Sequence, residues 1–232
     1  MTLLDYGQGQ RRFKRPLMIP GEEVSVRING VQTAIHINGI GISRLVEPID
    51  AGEVVPTLQA NVNAFLGAGG LVFNGHPGVN LLGAPGKYSY EEIWDGVLSA
   101  GKIMFGVPTD NSHHCSDYGP SRSNPDRGWV VVPAEELSQE AIVEGLASGT
   151  FYSSTGVMLE ELEVSEGGVS LKVEQFKDFI YVTKFTGHDG KALAEFEGVE
   201  TLYEIKGDKG YVRAVITSSS GQRAWTQPVL VG

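Results

Sequence analysis

The sequence predicts an α/β first part followed by a small antiparallel β module. Up to about residue 156, short apolar runs alternate with segments of helical period. That strand–helix–strand order is the signature of a parallel α/β arrangement. From Leu159 onward the period is two, and only strand patterns and turn signals remain. The 31 glycines and 11 prolines among 232 residues point to many short elements and argue against a helical bundle. The expected domains are residues 1–156 and 157–232.

Each element has a local reason. Leu17-Met18-Ile19 reads as a buried strand stopped by Pro20-Gly21. Val24 to Ile28 alternates and ends in Asn29-Gly30, a strong hairpin signal. Ala34 to Ile42 reads as the next strand. Val55, Leu58, Val62, Phe65 and Leu66 recur at helical spacing until a run of glycines, and Leu71-Val72-Phe73 is a short apolar strand. Ser89 and Glu92 form a capping box ahead of an apolar stripe of Ile93, Trp94, Val97 and Leu98, with Gly101 at the C-terminal stop. Ile103 to Val107 and Trp129 to Val132 read as strands. Ser138 caps a helix carrying Ile142, Val143 and Leu146, and Phe151 to Ser154 closes the first part. In the second part Val169 to Glu174 alternates strictly, and Phe179 to Phe185 and Tyr211 to Thr217 are rich in β formers.

Composition narrows the function classes. The chain is 24.9 kDa, enough for a core without staples. Its net charge of −10 makes it a poor candidate for holding phosphate backbones, so no nucleic-acid partner is expected. No apolar run approaches a membrane span and no signal peptide is visible, so no membrane partner is expected and the compartment stays open. The single cysteine, Cys115, excludes an internal disulfide framework. Arg11, Arg12, Lys14 and Arg15 form a local basic run that reads as a solvated arm.

The candidate chemistry lies at predicted strand ends, where parallel α/β folds place their sites. His36, His76, His113 and His114 fall there, accompanied by Glu22, Glu23 and Asp110. Mixed imidazole and carboxylate ligands suit Zn²⁺, Mn²⁺ or Fe²⁺. Each has a bland reading as well. His36 on an apolar strand fits a half-buried histidine, and His76 before Pro77 fits a turn. Adjacent residues point apart, so at most one of His113 and His114, and one of Glu22 and Glu23, would face a common site. His188 in a His-Asp-Gly turn reads as solvent-facing, and Cys115 as a packed thiol.

Taken in order, Ile19-Pro20-Gly21-Glu22-Glu23-Val24, His36-Ile37-Asn38-Gly39, Asn74-Gly75-His76-Pro77 and Thr109-Asp110-Asn111-Ser112-His113-His114 resemble the PHP (polymerase and histidinol phosphatase) family. Ser138 to Ile142, Gly149 to Gly156 and Ala224-Trp225-Thr226-Gln227-Pro228 are similar to a branch with a β extension that includes carbaryl hydrolases. The resemblance runs from about residue 16 to the end. It implies a partial distorted (β/α)7 barrel followed by the β module, and a divalent-metal-dependent phosphoesterase activity on a small phosphorylated or ester substrate. It implies Glu23, His76, His113 and the position of Asn111 as metal ligands. His36, His114 and Asp110 become the residues that would assist catalysis.

Two departures qualify it. The family's opening His-x-His strand and later Asp-His pair are missing, since the first histidine is His36. The ligand Asp of the family's Asp-x-His motif falls on Asn111, a neutral and weaker ligand. Each lost ligand must be replaced by water, so metal occupancy should be weak. The alternative reading is therefore a non-catalytic PHP-like protein that binds a small ligand or partner. A barrel without its first strands would also expose an edge, and a homo-oligomer covering it is expected.

Overall fold

The computed structural model of the chain describes residues 16–30, 35–74, 79–80, 90–110, 112–119, 122 and 124–231. In chain order the elements are β1 (Gly21–Val26), β2 (Ile35–Ile40), α1 (Val54–Gly67), β3 (Leu71–Asn74), β4 (Val79–Asn80), α2 (Tyr90–Ser99), β5 (Gly106–Val107) and β6 (Trp129–Val131). There follow α3 (Gln139–Ser148), β7 (Tyr152–Ser154), β8 (Leu159–Ser165), β9 (Gly168–Val173), β10 (Tyr181–Gly187) and β11 (Lys191–Glu197). The last four are β12 (Glu200–Glu204), β13 (Gly210–Ser218), β14 (Arg223–Thr226) and β15 (Val229–Val231). The chain divides into two compact units, residues 1–78 with 133–148, and residues 79–132 with 149–232.

The expected partial (β/α)7 barrel is not the fold. Among the described residues every strand pairing is antiparallel except the two-residue contact of β4 with β5. The first unit shows why strand–helix–strand order misleads here. β1, β2 and β3 form one antiparallel sheet, and β3 pairs directly with β2 although α1 lies between them in the chain. A crossover helix would return the chain to a parallel strand. Here the segment 41–53 makes the return instead. It runs beside α1 from the helix's C-terminal end to its N-terminal end: Ser43 N–H donates to Ala68 O (2.9 Å), Ile49 N–H to Asn61 Oδ1 (3.0 Å) and Ala51 N–H to Thr57 Oγ1 (3.0 Å). The helix then carries the chain back to the end where β2 finished, and β3 must descend antiparallel.

This path explains two polar residues on the buried face of α1. Thr57 and Asn61 are both fully buried. The Asn61 amide also donates to Ile49 O (2.7 Å), so it pairs with Ile49 as a neighbouring strand would. Asn61→Leu should leave both backbone groups of Ile49 unpaired and lower stability by about 2–4 kcal/mol. Urea unfolding measures this, and an unchanged midpoint would refute the role. The apolar contacts of the face are supplied by Phe65 and Ala68 against Val24, Ile37, Ile42 and Val46. Gly39 belongs to this packing, because a Cβ there would lie 2.2 Å from a Phe65 ring carbon.

Leu17 to Ile19 is not a strand, and Met18 is 79% exposed. Pairing begins instead across the expected stop, at Gly21 opposite Ile40, and Pro20 takes part through its carbonyl, which accepts from Gly41 N–H (2.7 Å). Ser138 does cap α3, accepting from Ala141 N–H (3.2 Å). The capping box at Ser89 lies outside the described residues.

The second unit is built on two antiparallel sheets. The larger runs β11-β10-β13-β14-β7-β6, with β15 also on β13, and the smaller runs β12-β9-β8. The change of hydropathy period near residue 157 falls within this construction, since β6 and β7 belong to the same sheet as β10, β13 and β14. One face of the larger sheet shares a core with the smaller one, through Tyr152, Phe185, Ala214 and Ile216 against Leu159, Val169, Leu171 and Val173. Alternation turns Tyr211, Arg213 and Trp225 to the opposite face, where α2 lies. Tyr211 and Trp225 there pack with Trp94 and Leu98.

Two buried charges fasten α2 to that face. Arg213 forks onto Asp95, Nε to Oδ1 and Nη2 to Oδ2, both at 2.8 Å. The Tyr211 hydroxyl donates to Asp95 Oδ1 (2.6 Å). Arg213 also lies over the Trp94 ring (4.7 Å), and Glu91 joins it to Arg223. Burial, reinforced by Asp95, holds the Tyr211 hydroxyl well above the usual tyrosine range. Burial works against the Arg213 charge, and its hydrogen bonds to Asp95, together with the charges of Asp95 and Glu91, more than offset it.

Candidate functional site

β1 and β2 bring two of the expected residues together. Strand alternation turns Val24 and Ile37 to the core and Glu23, Ser25 and His36 to the outer face. Ser25 stands directly opposite His36, and Glu23 two pairs along, on the same face, opposite Asn38. His36 Nδ1 lies 3.1 Å from Glu23 Oε1 and 2.8 Å from Ser25 Oγ. Both side chains are about half exposed, at 46% for His36 and 51% for Glu23. Glu22 is turned the other way and accepts from Val46 N–H (2.9 Å), which resolves which of the paired glutamates faces His36. Ser25 was not among the expected residues. The alternation of Glu23, Ser25 and the valines was its signal.

The arrangement limits the chemistry. Carboxylate and hydroxyl converge on the same imidazole nitrogen. A serine–histidine–acid relay uses both ring nitrogens, so these three side chains are not one. The pair lies close to the spacing a cation needs. Zn–N distances are about 2.0–2.1 Å and Zn–O about 2.0–2.2 Å, which at a tetrahedral angle puts neighbouring donors roughly 3.3–3.5 Å apart, a little more than the 3.1 Å seen here. Two donors do not close a site. Among the described residues no group of three or more His, Cys, Asp or Glu side chains could hold a metal ion. His76 and Asn111 lie outside the described residues.

Asp110, His113 and His114 belong to the second unit, in the loop after β5. Asp110 turns its carboxylate inward on its own loop. It accepts from Asp126 N–H (2.8 Å), Arg127 N–H (2.8 Å) and Gly128 N–H (3.1 Å). Its main-chain carbonyl accepts from the Arg127 guanidinium. Asn124, buried, performs the same service inside the loop, accepting from Gly119 N–H and donating to His114 O and Asp117 O. His113 is exposed, and His114 is half-buried. His114 Nδ1 is shielded from solvent with no hydrogen-bond partner among the described residues. Cys115 is an exposed free thiol, not a packed one, with Sγ 3.6 Å from Ser112 Oγ.

The strand that launches this loop is pinned from behind. The Gln227 amide pairs with Gly106 in both directions, accepting from its N–H and donating to its O, each at 2.9 Å. Ser153 Oγ donates to the same carbonyl (2.7 Å). A Cβ at Gly106 would lie 2.6 Å from the Trp94 ring. Gln227 and Ser153 belong to motifs singled out in the sequence, and both hold the base of the Asp110–His114 loop.

No family model, no curated protein and no solved structure matches the chain.

The β sheets offer little to an anion. The outer face of the smaller sheet carries a shallow depression lined by Glu161, Ser170, Lys172, Glu200 and Leu202. Its lysine is already paired with Glu160 (2.8 Å), and its other charges are carboxylates, so a phosphate gains nothing there. Among the described residues no helix is long and apolar enough to cross a membrane.

Proposed function

We propose that the chain is a metal-dependent phosphoesterase-like hydrolase of PHP type, weakened by the neutral Asn111 at the position of a ligand Asp, with Glu23 and His36 as cation ligands. The observation that carries the reading is the 3.1 Å approach of Glu23 Oε1 to His36 Nδ1 on neighbouring strands. The order of the sequence motifs supports it independently. The glutamate supplies negative charge and His36 a neutral nitrogen donor. The Ser25 hydroxyl holds the imidazole over Glu23 until a cation takes its place. A divalent cation there would lower the pKa of a bound water and neutralise charge on a phosphoryl oxygen. The substrate class is a small phosphoester.

Titration of the full chain with Mn²⁺ and Zn²⁺, followed by hydrolysis of nitrophenyl phosphate with Mn²⁺, tests the proposal. Glu23→Gln and His36→Gln should each weaken metal binding at least tenfold and reduce hydrolysis in parallel, as loss of a ligand requires. Both positions are exposed, so the fold should survive. The same titration on His76→Ala reports whether that side chain joins the pair. Absence of metal binding by the natural chain would overturn the reading. The neutral Asn111 at the position of a ligand Asp favours a second one, a non-catalytic chain binding a small ligand. Metal binding without hydrolysis would select it.

A further inference from the structure

Helix α1 has a second stripe, of three apolar residues and a glutamine that donates to Asn63 Oδ1 (2.9 Å), that nothing in its own unit explains. Its buried face is Thr57, Asn61 and Phe65. Val55, Gln59, Val62 and Leu66 follow one another at spacings of four, three and four, the spacing of a helix–helix seam. Val55 is 72% exposed and Leu66 57%. The stripe spans about 16 Å of helix. A solvated helix face is ordinarily charged. This helix, VVPTLQANVNAFLG, carries no charge at all.

We infer that this face of α1 pairs with the same face of a second copy of the chain, the two helices running antiparallel about a two-fold axis. Charge selects the occupant and its direction. Two chains of net charge −10 repel wherever their carboxylates meet, and α1 is an uncharged strip on which they can approach. The ends of the strip are charged in a complementary way. Glu53 precedes the first turn and makes no side-chain hydrogen bond to the helix. Arg44 sits at the other end, with Nη2 3.3 Å from Gly67 O. Antiparallel pairing sets Glu53 of one copy beside Arg44 of the other, twice by symmetry, and opposes the helix dipoles. Parallel pairing would set each beside its like. Val55 then meets Leu66 across the seam, and Gln59 contributes a polar register mark. A seam this short is at the low end of specific interfaces, so association is expected on the order of micromolar. With the barrel gone, missing barrel strands no longer give a reason to expect a homo-oligomer; this surface provides a different one.

Sedimentation velocity of the full chain, from about 1 µM to about 500 µM, reads the mass directly across the expected range. The natural chain should pass from 24.9 kDa to twice that value. Leu66→Glu places two like charges in the seam and should weaken association by roughly a hundredfold or more. Its exposure leaves the fold intact, which circular dichroism checks. Arg44→Glu should weaken association several-fold, and adding Glu53→Arg in the same chain should restore it. A single-chain mass throughout would overturn the inference. So would a dimer indifferent to Leu66→Glu, or single-chain mass with the α1 amides strongly protected, which would assign the face to another part of the same chain. None of these outcomes depends on metal binding or hydrolysis.

Discussion

Asp95→Ala should cost about 3–5 kcal/mol, because it leaves the buried Arg213 charge with only its longer contact to Glu91 (3.4 Å). Arg213 is 2% exposed, and its guanidinium cannot deprotonate to escape. The variant also strips the Tyr211 hydroxyl of its acceptor. Domains of this size are stable by only about 5–15 kcal/mol, so a large part of the margin is at stake. The loss should appear as a lowered denaturation midpoint with near-ultraviolet changes from Trp94 and Trp225, which pack around the pair. The double variant Asp95→Leu/Arg213→Met should recover part of it, since an apolar pair carries no desolvation penalty while the Tyr211 hydroxyl still lacks its acceptor. An unchanged midpoint in Asp95→Ala would mean that water reaches this face of the sheet.

The second large effect is local. Asp110→Ala removes the acceptor of three backbone N–H groups at once, one of them on Asp126, whose φ is +68°. Hydrogen bonds to a charged acceptor contribute about 1.5–3 kcal/mol each, though three on one carboxylate do not sum fully. The loop can open without unfolding the sheets, so the change in global midpoint should be small. Amide exchange at Asp126, Arg127 and Gly128 should instead accelerate on the order of a hundredfold, equivalent to roughly 3 kcal/mol. Asp110→Asn should fall between, since its amide nitrogen cannot accept. Unaltered exchange in Asp110→Ala would show that Asn124 alone organises the loop that carries His113 and His114.

How much of this was legible depends on the range of the interaction. The helix over Val54–Gly67 was readable because apolar spacing and the terminal glycines are local signals. So was the Ser138 cap, which acts within one turn. The pairing of Glu23 with His36 was half legible: the residues were singled out for their chemistry, but a role at parallel strand ends was assigned to them. They meet instead on the open face of an antiparallel pair, where a cross-strand partner, Ser25, also reaches the ring. The roles of Asp110 and Asn124 were not legible, because their partners are backbone groups of no distinctive type. Thr57 and Asn61 carried no signal in the sequence, because nothing local says that they receive the segment 43–51.

By itself the sequence determined the periods, the turns, the acidic balance and the pool of side chains able to bind a cation. It could not determine strand direction. Strand–helix–strand order is compatible with either sense, and the choice rests on whether the intervening chain makes one pass or two. In this protein the hydrogen bonds of Ser43, Ile49 and Ala51 along α1 add the second pass, and β3 returns antiparallel to β2. Those contacts span as many as 25 residues in the chain, as in the Ser43–Ala68 hydrogen bond, and only the assembled tertiary structure decides among them.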